Sequence, residues 1–272
     1  MLAPTPGGGS LTVVGTGIDG GAHLTAEARA VIEAADEVLY VVAEPLTERL
    51  LERLNPRARS LGALHYGDTK PRWETYDEIT EALLASVRTG ARVCAVFYGH
   101  PGILVDASHE AVAQARAEGF ATRMLPAISA LDCLFADLGL DPARSGLVSF
   151  EATALLLYRR QPDVAATLVL WQPEIVGELL GAPDGRGSRL SLLVEYLCRF
   201  YPAEHETIVY KASPYSVAGP IVRRVQLGRL TDDQLPRASS LVLPPLVEPQ
   251  VDPAMLERLR LTTGTVGTEA DA

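Results

Sequence analysis

The sequence contains few cysteines and no excess of positive charge. Its three cysteines, Cys94, Cys133 and Cys198, lie far apart within apolar stretches. This number and spacing indicate neither a disulfide framework nor a metal site. The formal net charge is −10, and the lysines and arginines do not cluster. Because proteins that bind nucleic acid usually carry a basic surface, this charge argues against a nucleic-acid partner.

Long hydrophobic runs are also missing. No apolar run approaches the roughly 18 residues that a membrane-spanning helix needs. Residues 1–10 are rich in Pro and Gly and lack the basic and then apolar regions of a signal peptide, so we expect a flexible tail there. With 47% hydrophobic residues, the chain is typical of a globular protein with a sizeable core. We expect a cytoplasmic location and no membrane partner.

The apolar periodicity predicts an α/β protein in two halves. A boundary near Pro126 divides residues 11–125 from residues 126–247, and a short helix and flexible tail follow at residues 248–272. A polar surface loop is expected at residues 181–187. The predicted strands are 11–14, 37–42, 93–97, 121–125, 167–171, 207–211 and 240–243, and the predicted helices are 26–35, 47–54, 71–89, 106–118, one that ends near Gly139, and 188–200.

One motif, Tyr-Gly-His-Pro-Gly-Ile-Leu at residues 98–104, lies between a predicted buried strand and a predicted helix. It therefore falls at the carboxyl end of a strand, where open α/β sheets bind ligands. Its two glycines allow backbone to approach a ligand closely. An ordinary strand-to-helix turn is the alternative, but Tyr98 and His100 place hydrogen-bonding groups on an otherwise apolar strand end.

A glycine-rich loop, Gly15 to Gly20, follows the first predicted strand and matches GxGxxG. A dinucleotide-binding loop of this type opens directly into a helix at its third glycine. Here several residues intervene before Thr25, which is a typical N-cap residue. A nicotinamide-dependent oxidoreductase is therefore a less favoured alternative.

The stretch from Leu64 to Tyr76 is unusually polar. Tyr66 precedes Pro71, which suits the first turn of a helix, and Arg72 and Tyr76 lie four residues apart on one helix face. The simplest interpretation is a solvated helix start with aromatic rings packed beneath it. The alternative is a site, with Tyr66 folded back toward Arg72 and Tyr76.

Several of these segments together resemble the tetrapyrrole methylase superfamily. The resemblance implies a two-domain α/β fold that holds S-adenosylmethionine in a cleft between the domains. It extends over roughly residues 11–245. The residues that carry it are Val14 to Gly17, Leu24, Thr25, Ala34 to Asp36, Tyr40, Tyr98 to Gly102, Pro126 to Ala130, Trp171, Gln172 and Tyr210 to Ala212.

Within that superfamily the chain looks most like the borosin α-N-methyltransferases, which methylate backbone amides of a ribosomally made precursor peptide. A small-molecule methylase acting on a tetrapyrrole-like substrate is the runner-up. A non-catalytic binding module is disfavoured because Tyr66, Arg72 and Tyr76 are all present. The closer match rests on Tyr66, Arg72, Thr75, Tyr76, Tyr98 to Gly102, Ser108, His109 and a block that includes Ile128 to Ala130 and Ala136 to Gly139.

The C-terminal part departs from the fused borosin enzymes, which carry a helical clasp and their own core peptide. Residues 262–272 are rich in Thr and Gly and are expected to be disordered. The resemblance therefore implies a split enzyme that acts on a separate precursor peptide, and such enzymes are typically homodimers.

The chemistry of amide methylation suits the residue types in these segments. A peptide nitrogen is delocalised into its carbonyl group and is a poor nucleophile, so a base for its proton and a cation at the carbonyl oxygen would assist. A phenol, with an ordinary pKa of about 10, needs a lower pKa to act as the base, and Arg72 is able to lower it for Tyr66 or Tyr76.

The site residues that the resemblance implies fall into two groups, and no metal is expected. The sequence does not divide the catalytic roles among the first group. The catalytic candidates are Tyr66, Arg72, Tyr76 and Tyr98, and the cofactor-binding candidates are Gly15, Gly17, Tyr98, His100, Ile103, Ser129, Ala130, Gln172 and Ala212.

Overall fold

The first half of the chain forms a parallel sheet. The computed structural model describes residues 8–65, 70–178 and 189–262. Five strands pair in the order β3-β2-β4-β1-β5, and every pairing is parallel. The strands are β1 (Ser10–Gly15), β2 (Glu37–Val41), β3 (Ala58–Ser60), β4 (Arg92–Phe97) and β5 (Ala121–Met124).

Helices cover both faces of this sheet. Side chains alternate along each strand, so Leu11 and Val13 pack on one face with α4 and α5, whereas Val14 and Val96 pack on the other with α1 and α2. The helices are α1 (Ala26–Ala34), α2 (Pro45–Leu54), α3 (Gly62–His65), α4 (Arg72–Arg88) and α5 (Asp106–Ala117).

The second half forms a mixed sheet in the order β6-β7-β10-β8-β9. Only β6 and β7 pair in parallel; the other three pairings are antiparallel. The strands are β6 (Leu147–Glu151), β7 (Thr167–Trp171), β8 (Glu206–Lys211), β9 (Ile221–Gln226) and β10 (Ser240–Leu243). The helices are α6 (Ala130–Leu138), α7 (Pro142–Ser145), α8 (Ala152–Leu157), α9 (Leu190–Leu197) and α10 (Pro253–Leu259).

The two halves share a hydrophobic cluster. Leu168 and Leu170 of β7 face the core formed with α8 and α9, whereas Val169 and Trp171 face the opposite way. On that side they join Leu134 of α6 and Ile18 of the glycine-rich loop, with further members from β8 and β10. The predicted boundary near Pro126 falls between β5 of the first sheet and α6, which packs on the second sheet; the division into domains remains a prediction.

The predicted α/β class and most predicted elements are confirmed, including the helix stops at Gly90, Gly119 and Gly139, which all have positive φ. Three strands, β3, β6 and β9, were not predicted. All three lie at sheet edges. An edge strand has one unpaired side and often a polar sequence, as in β9, so it lacks a strong apolar alternation.

Several predicted bounds need correction. Ser10 belongs to β1 and not to a tail, and α2 begins at Pro45, two residues earlier than expected. The second half is not a repeat of strand-helix alternation, because β8 and β9 form an antiparallel pair joined by a loop without a helix. The predicted tails at 1–7 and 263–272 and the loop at 181–187 lie outside the described residues. No helix in the described ranges is long and apolar enough to cross a membrane.

Candidate functional site

The loops that follow β1 and β4 meet at the carboxyl edge of the parallel sheet. Gly17 and Gly99 form an isolated antiparallel bridge, in which Gly17 N–H donates to Gly99 O at 3.2 Å and Gly99 N–H donates to Gly17 O at 3.1 Å. Both residues have positive φ, +71° and +70°, which favours glycine. The two loops are therefore hydrogen-bonded to each other at the edge where ligands bind in such sheets.

The glycines after β1 are explained by close packing. A Cβ atom on Gly15 would lie 2.1 Å from Gly99 O and 2.8 Å from Pro101 Cδ, and one on Gly17 would lie 2.2 Å from His23 Cβ. The backbone N–H and C=O groups of Gly17 already bond to Gly99. Direct contact of Gly15 and Gly17 with a cofactor stays a prediction.

The dinucleotide alternative lacks its structural basis. Helix α1 begins at Ala26, where Thr25 Oγ1 accepts a hydrogen bond from Ala28 N–H at 3.1 Å. No helix opens at Gly20, so the loop has no helix N-terminus at the position where a dinucleotide pyrophosphate binds.

The motif at residues 98–104 folds as a turn fastened to α5. The Ser108 hydroxyl donates to Pro101 O, His109 Nε2 bonds to Gly102 O at 3.0 Å, and His100 Nδ1 accepts from Gly102 N–H at 3.0 Å. The sequence analysis named Ser108 and His109 among the residues that carry the closer resemblance but gave neither a role. The hydrogen bonds of Ser108 and His109 in the fold, and not their spacing in the sequence, show that they fasten the turn to α5.

This turn presents apolar surface. Tyr98, Ile103 and Leu104 are 38%, 38% and 49% exposed, and Leu104 is a non-glycine residue with φ of +56°. Partly exposed apolar side chains beside a strained residue, at a sheet edge, are typical of a ligand site. The turn thus has features common in ligand sites, and its part in a site stays a prediction.

Tyr98 reaches from the first half toward the second. Burial, together with the charge of Glu44 and the proximity of Cys133 of α6, raises its pKa to about 12. Tyr98 also interacts electrostatically with Tyr210 of β8, whose hydroxyl donates to Asp137 Oδ2 at 2.7 Å. Asp137 and Tyr210 belong to the segments that carry the family resemblance, but no spacing in the sequence indicated that they meet.

Arg72 and Tyr76 lie at the same sheet edge. Helix α4 leads from β3 to β4, so it runs back against the parallel strands and begins at their carboxyl ends. Burial raises the pKa of Tyr76, the charge of Arg72 lowers it, and Asp106 at the start of α5 raises it. Arg72 thus acts to lower the pKa of Tyr76, but burial outweighs the guanidinium and the net shift is upward.

Tyr66 and Thr75 flank Arg72 in the sequence. Tyr66, the other candidate base, lies outside the described residues. Thr75 is 3% exposed, and its Oγ1 has no hydrogen-bond partner among the described residues. The structure therefore brings Arg72 and Tyr76 together and leaves the position of Tyr66 as a prediction.

Ser129 is the N-cap of α6. Its Oγ accepts from Leu131 N–H at 3.2 Å and from Asp132 N–H at 3.3 Å, and Asp132 Oδ2 accepts from Ser129 N–H at 2.7 Å. This is a reciprocal capping box. No hydrogen bond within the described chain uses Ala130 N–H, which is thus the backbone donor at this end of α6 that remains for a ligand.

Gln172 and Ala212 lie at the corresponding edge of the second sheet. Gln172 directly follows β7 and is left-handed, with φ of 56° and ψ of 43°, and Ala212 directly follows β8. Both β7 and β8 pair antiparallel to β10, so they run in the same direction and end at one edge. Ala212 belongs to the shared cluster with Trp171 and Ile18.

A segment after β8, residues 213–220, connects the two halves. Tyr215 donates its hydroxyl to Glu44, and Ser216 donates its hydroxyl to Asp19 of the glycine-rich loop. Cavities of about 710 Å³ and about 310 Å³ lie beside this segment. The smaller one is lined by Ala212, Cys133 and Asp137, whereas the larger one, between α1 and α2, contains none of the candidate residues that the structure describes. The predicted site residues therefore lie at the sheet edges and not around the larger cavity, and their role in binding stays a prediction.

Metal binding has no support in this region. Within residues 8–65, 70–178 and 189–262, no three His, Cys, Asp or Glu side chains are grouped to hold a metal ion.

Solved structures share the fold. A uroporphyrin-III-C-methyltransferase from Thermus thermophilus is 22% identical with a TM-score of 0.63, covering 94% of this chain and 99% of that chain. The cobalt precorrin-4 methyltransferase CbiF is 14% identical with a TM-score of 0.61, covering 86% and 94%. At these identities the likeness shows the fold alone.

Relatives of higher identity are fungal proteins. A methyltransferase/ribosomally synthesized gymnopeptides precursor from Gymnopus fusipes is 37% identical over 260 residues, covering 93% of this chain and 61% of that protein. A methyltransferase/ribosomally synthesized type I borosin cyclic peptide precursor from Coprinopsis marcescibilis is 38% identical over 247 residues, covering 88% and 63%. The chain thus spans less than two thirds of the length of these relatives.

The match to a protein family covers most of the chain. The family model described as Tetrapyrrole (Corrin/Porphyrin) Methylases matches residues 10–214. These residues include both sheet edges, the turn at residues 98–104 and Gln172. Together with the relatives above, this match shows that the chain belongs to the tetrapyrrole (corrin/porphyrin) methylase family.

Proposed function

We propose that this chain uses S-adenosylmethionine to N-methylate backbone amides of a ribosomally synthesised precursor peptide that is supplied as a separate chain, as in split borosin biosynthesis. The observation that carries the proposal is the 34–38% identity to relatives named as methyltransferases joined to ribosomally synthesised cyclic-peptide precursors. Methyltransferases of this superfamily use S-adenosylmethionine, which supports the proposed cofactor.

The two sheet edges fit such a cofactor. Its methyl group, carried on a sulfonium, is the group to be transferred. The exposed apolar side chains of Ile103 and Leu104, the Ala130 N–H and the left-handed backbone at Gln172 combine apolar surface with a few placed polar groups, as ligand sites commonly do. The full proposed set is Gly15, Gly17, Tyr98, His100, Ile103, Ser129, Ala130, Gln172 and Ala212, with Ser129 acting through the helix cap.

Arg72 and Tyr76 suit the amide carbonyl of the substrate. Negative charge develops on that oxygen as the nitrogen becomes nucleophilic. Arg72 is permanently charged, and Tyr76, with its raised pKa, stays protonated near neutral pH and is able to donate a hydrogen bond. In this proposal the two side chains hold the oxygen from the start of α4.

Proton removal falls to another group. The amide nitrogen gains a methyl group and loses its proton, so a base must accept that proton. Because burial raises the pKa of Tyr76 and of Tyr98, neither phenol is expected to form much phenolate near neutral pH. We therefore assign the base role to Tyr66 and a positioning role, between cofactor and peptide, to Tyr98.

Mass spectrometry tests the reaction. The protein is incubated with S-adenosylmethionine and, as separate chains, synthetic core peptides of the gymnopeptide and omphalotin A precursors and peptides encoded beside its own gene. Gains of one methyl mass that tandem spectra localise to backbone nitrogen are expected. Methylation of a porphyrinoid probe such as uroporphyrinogen III, with no peptide modified, would instead favour a small-molecule methyltransferase.

Arg72→Ala tests the proposed role of the guanidinium. Methyl transfer should fall at least about a hundredfold, the scale of losing an oxyanion donor, while the Kd for S-adenosylmethionine stays within about twofold. Arg88→Ala is the matched control, because Arg88 lies on the same helix but pairs with Glu81 and Glu118 at its far end. Equal turnover in the Arg72 variant and the unaltered protein would show that the assignment is wrong.

We also propose that the protein is a cytoplasmic homodimer. Sedimentation equilibrium at micromolar concentration tests the assembly, and a monomer mass across the concentration range would contradict it.

A further inference from the structure

The turn that follows β7 contains a conformation that its residue does not favour. Gln172 is left-handed and stands directly before the buried Pro173 and a short 3-10 turn, Pro173–Ile175. The left-handed region is sterically unfavourable for a residue with a Cβ atom. A second such residue, Ala238, with φ of 59°, lies just before β10.

The sheet places these two residues side by side. Ser240 of β10 pairs with Trp171 of β7, and the strands are antiparallel. The turn that leaves β7 and the turn that leads into β10 therefore lie next to each other at one edge. This is the edge that also carries Ala212, the other second-half candidate for the cofactor.

Glu174 joins the two turns. Its Oε1 accepts a hydrogen bond from Ala238 N–H at 2.7 Å, and its Oε2 accepts from the Ser239 hydroxyl at 3.3 Å. The carboxylate is partly buried, and burial raises its pKa even though these hydrogen bonds and Arg237 act to lower it. Burial of a carboxylate is unfavourable unless hydrogen bonds or charge partners compensate, and Ala238 and Ser239 supply such bonds here. The proposed methyl transfer uses no group on Glu174.

Other contacts fix the far side of the same turn. Ile175 N–H donates to Gln172 O at 3.2 Å, Thr153 Oγ1 accepts from Gly177 N–H at 3.0 Å, and Arg189 Nη1 donates to Gly177 O at 3.0 Å. Gly177, at the end of the turn, is thus hydrogen-bonded to Thr153 of α8 and to Arg189, the residue before α9. Glu174 makes the corresponding hydrogen bonds on the β10 side of the turn.

We infer that Glu174 is a positioning residue that keeps Gln172 in its left-handed conformation, with the backbone of residue 172 turned toward S-adenosylmethionine. This inference rests on the proposed function, in which Gln172 contacts the cofactor. Without the carboxylate, Ala238 N–H and the Ser239 hydroxyl lose their acceptor, and residue 172 is free to relax to an ordinary conformation.

Calorimetric titration with S-adenosylmethionine tests the inference. Glu174→Ala should raise the Kd about tenfold, the scale of losing a hydrogen bond to a charged group, with a smaller effect on kcat. Glu174→Gln keeps a carbonyl acceptor for Ala238 N–H and should recover most of the affinity. It also serves if the alanine variant fails to fold.

A double substitution tests the conformational cause. Glycine adopts the left-handed region without steric cost, so in a Gln172→Gly background the hydrogen bonds of Glu174 are no longer needed to hold residue 172 in that region. There, Glu174→Ala should change the Kd less than about twofold. The same tenfold loss in both backgrounds would show that the carboxylate does not act through residue 172, and would overturn the inference.

Hydrogen exchange without any cofactor gives a second readout. Glu174→Ala should speed exchange of the Ala238 and Ile175 amides, whereas Glu206→Ala, which removes a surface carboxylate paired with Arg224 on the same sheet, should not. Unchanged exchange and unchanged Kd in Glu174→Ala would overturn this inference alone. If the unaltered protein does not bind S-adenosylmethionine, the proposed function fails and this inference fails with it.

Discussion

The two edges that form the candidate site obtain unusual backbone conformations by different means. Where the two loops of the first sheet pair, the positive φ angles at Gly17 and Gly99 fall on glycines, and the tight approach at Gly15 also uses a glycine. Leu104, farther along the same turn, is the exception at this edge. On the second sheet, Gln172 and Ala238 adopt the left-handed region with side chains present. There a carboxylate, Glu174, bonds to the strained turns.

The two edges therefore carry different energetic costs. Glycine removes the steric conflict but increases the conformational entropy lost on folding. The carboxylate leaves the conflict in place and adds the cost of partial burial, which its hydrogen bonds offset. The glycine edge should therefore tolerate no added side-chain atom, whereas the second edge should depend on hydrogen bonds from side chains.

The largest expected effect is at the glycine edge. Gly15→Ala places a Cβ atom 2.1 Å from Gly99 O, where backbone must move, so we expect a loss of about 3 kcal/mol in the free energy of unfolding, measured by chemical denaturation. Methyl transfer should fall with it, because the turn at residues 98–104 shifts.

Two glycines serve as matched controls for Gly15. Gly119 has φ of +89° and no atom within 4 Å of an added Cβ, so Gly119→Ala should cost about 1 kcal/mol from backbone strain alone. Gly219 has neither problem, and Gly219→Ala should lie within about 0.5 kcal/mol of the unaltered protein. Equal losses at Gly15 and Gly119 would mean that close packing is not the reason for Gly15.

A smaller effect is expected at Ser129, whose side chain caps α6. Ser129→Ala removes the acceptor for Leu131 and Asp132 N–H and should lower the free energy of unfolding by about 1 kcal/mol. If Ser129 serves the cofactor only through this cap, the Kd for S-adenosylmethionine rises much less than in Glu174→Ala. Ser129→Asp, which retains a capping oxygen, should restore stability; a large rise in Kd with stability restored would indicate a direct contact.

The smallest effect near neutral pH concerns Tyr98, which reaches from the first edge toward the second. Its folded pKa of about 12 lies above the ordinary value of about 10. Between these values the native state keeps a proton that the unfolded chain has released, so stability is intact below about pH 10 and falls as pH rises toward 12. Tyr98→Phe should remove that part of the fall, measured by denaturation as a function of pH.

Glu44 offers a finer test of the same residue. Burial is the main cause of the raised pKa of Tyr98, and the Glu44 charge adds to it, so Glu44→Gln should lower that pKa. Difference absorbance of phenolate against the Tyr98→Phe variant measures the shift. Glu48→Gln is the control, because Glu48 affects Tyr40 and not Tyr98. A shift of equal size in both variants would contradict a local effect of Glu44.

Much of the fold was predictable from the sequence. Central strands such as β4 and β7 are continuous apolar runs, because parallel or central strands are covered on both faces. Helix starts and stops at Thr25, Gly119 and Gly139 follow local rules of capping and positive φ. The edge strands β3, β6 and β9 were not predicted, because their partial exposure leaves no strong apolar pattern.

The candidate site was predictable only in part. The turn at residues 98–104 and the pair Arg72 and Tyr76 stood out because their residue types suit chemistry and their elements end at one edge. The direction of the pKa shift of Tyr76 was not predictable, since burial depends on neighbours from α5 and β2 that are distant in sequence. Ser129 was a cofactor-binding candidate from the resemblance, and only the structure shows that it caps α6.

The sequence by itself determined the α/β class, the central strands and the helix ends at Gly90, Gly119 and Gly139, because these depend on local periodicity and on backbone sterics within a few residues. Tertiary structure alone decided that Tyr210 bonds to Asp137, that Glu174 bonds across the turns at residues 172 and 238, and that burial raises the pKa of Tyr76. Such contacts join segments tens of residues apart or more, and their energies depend on which groups the fold removes from water.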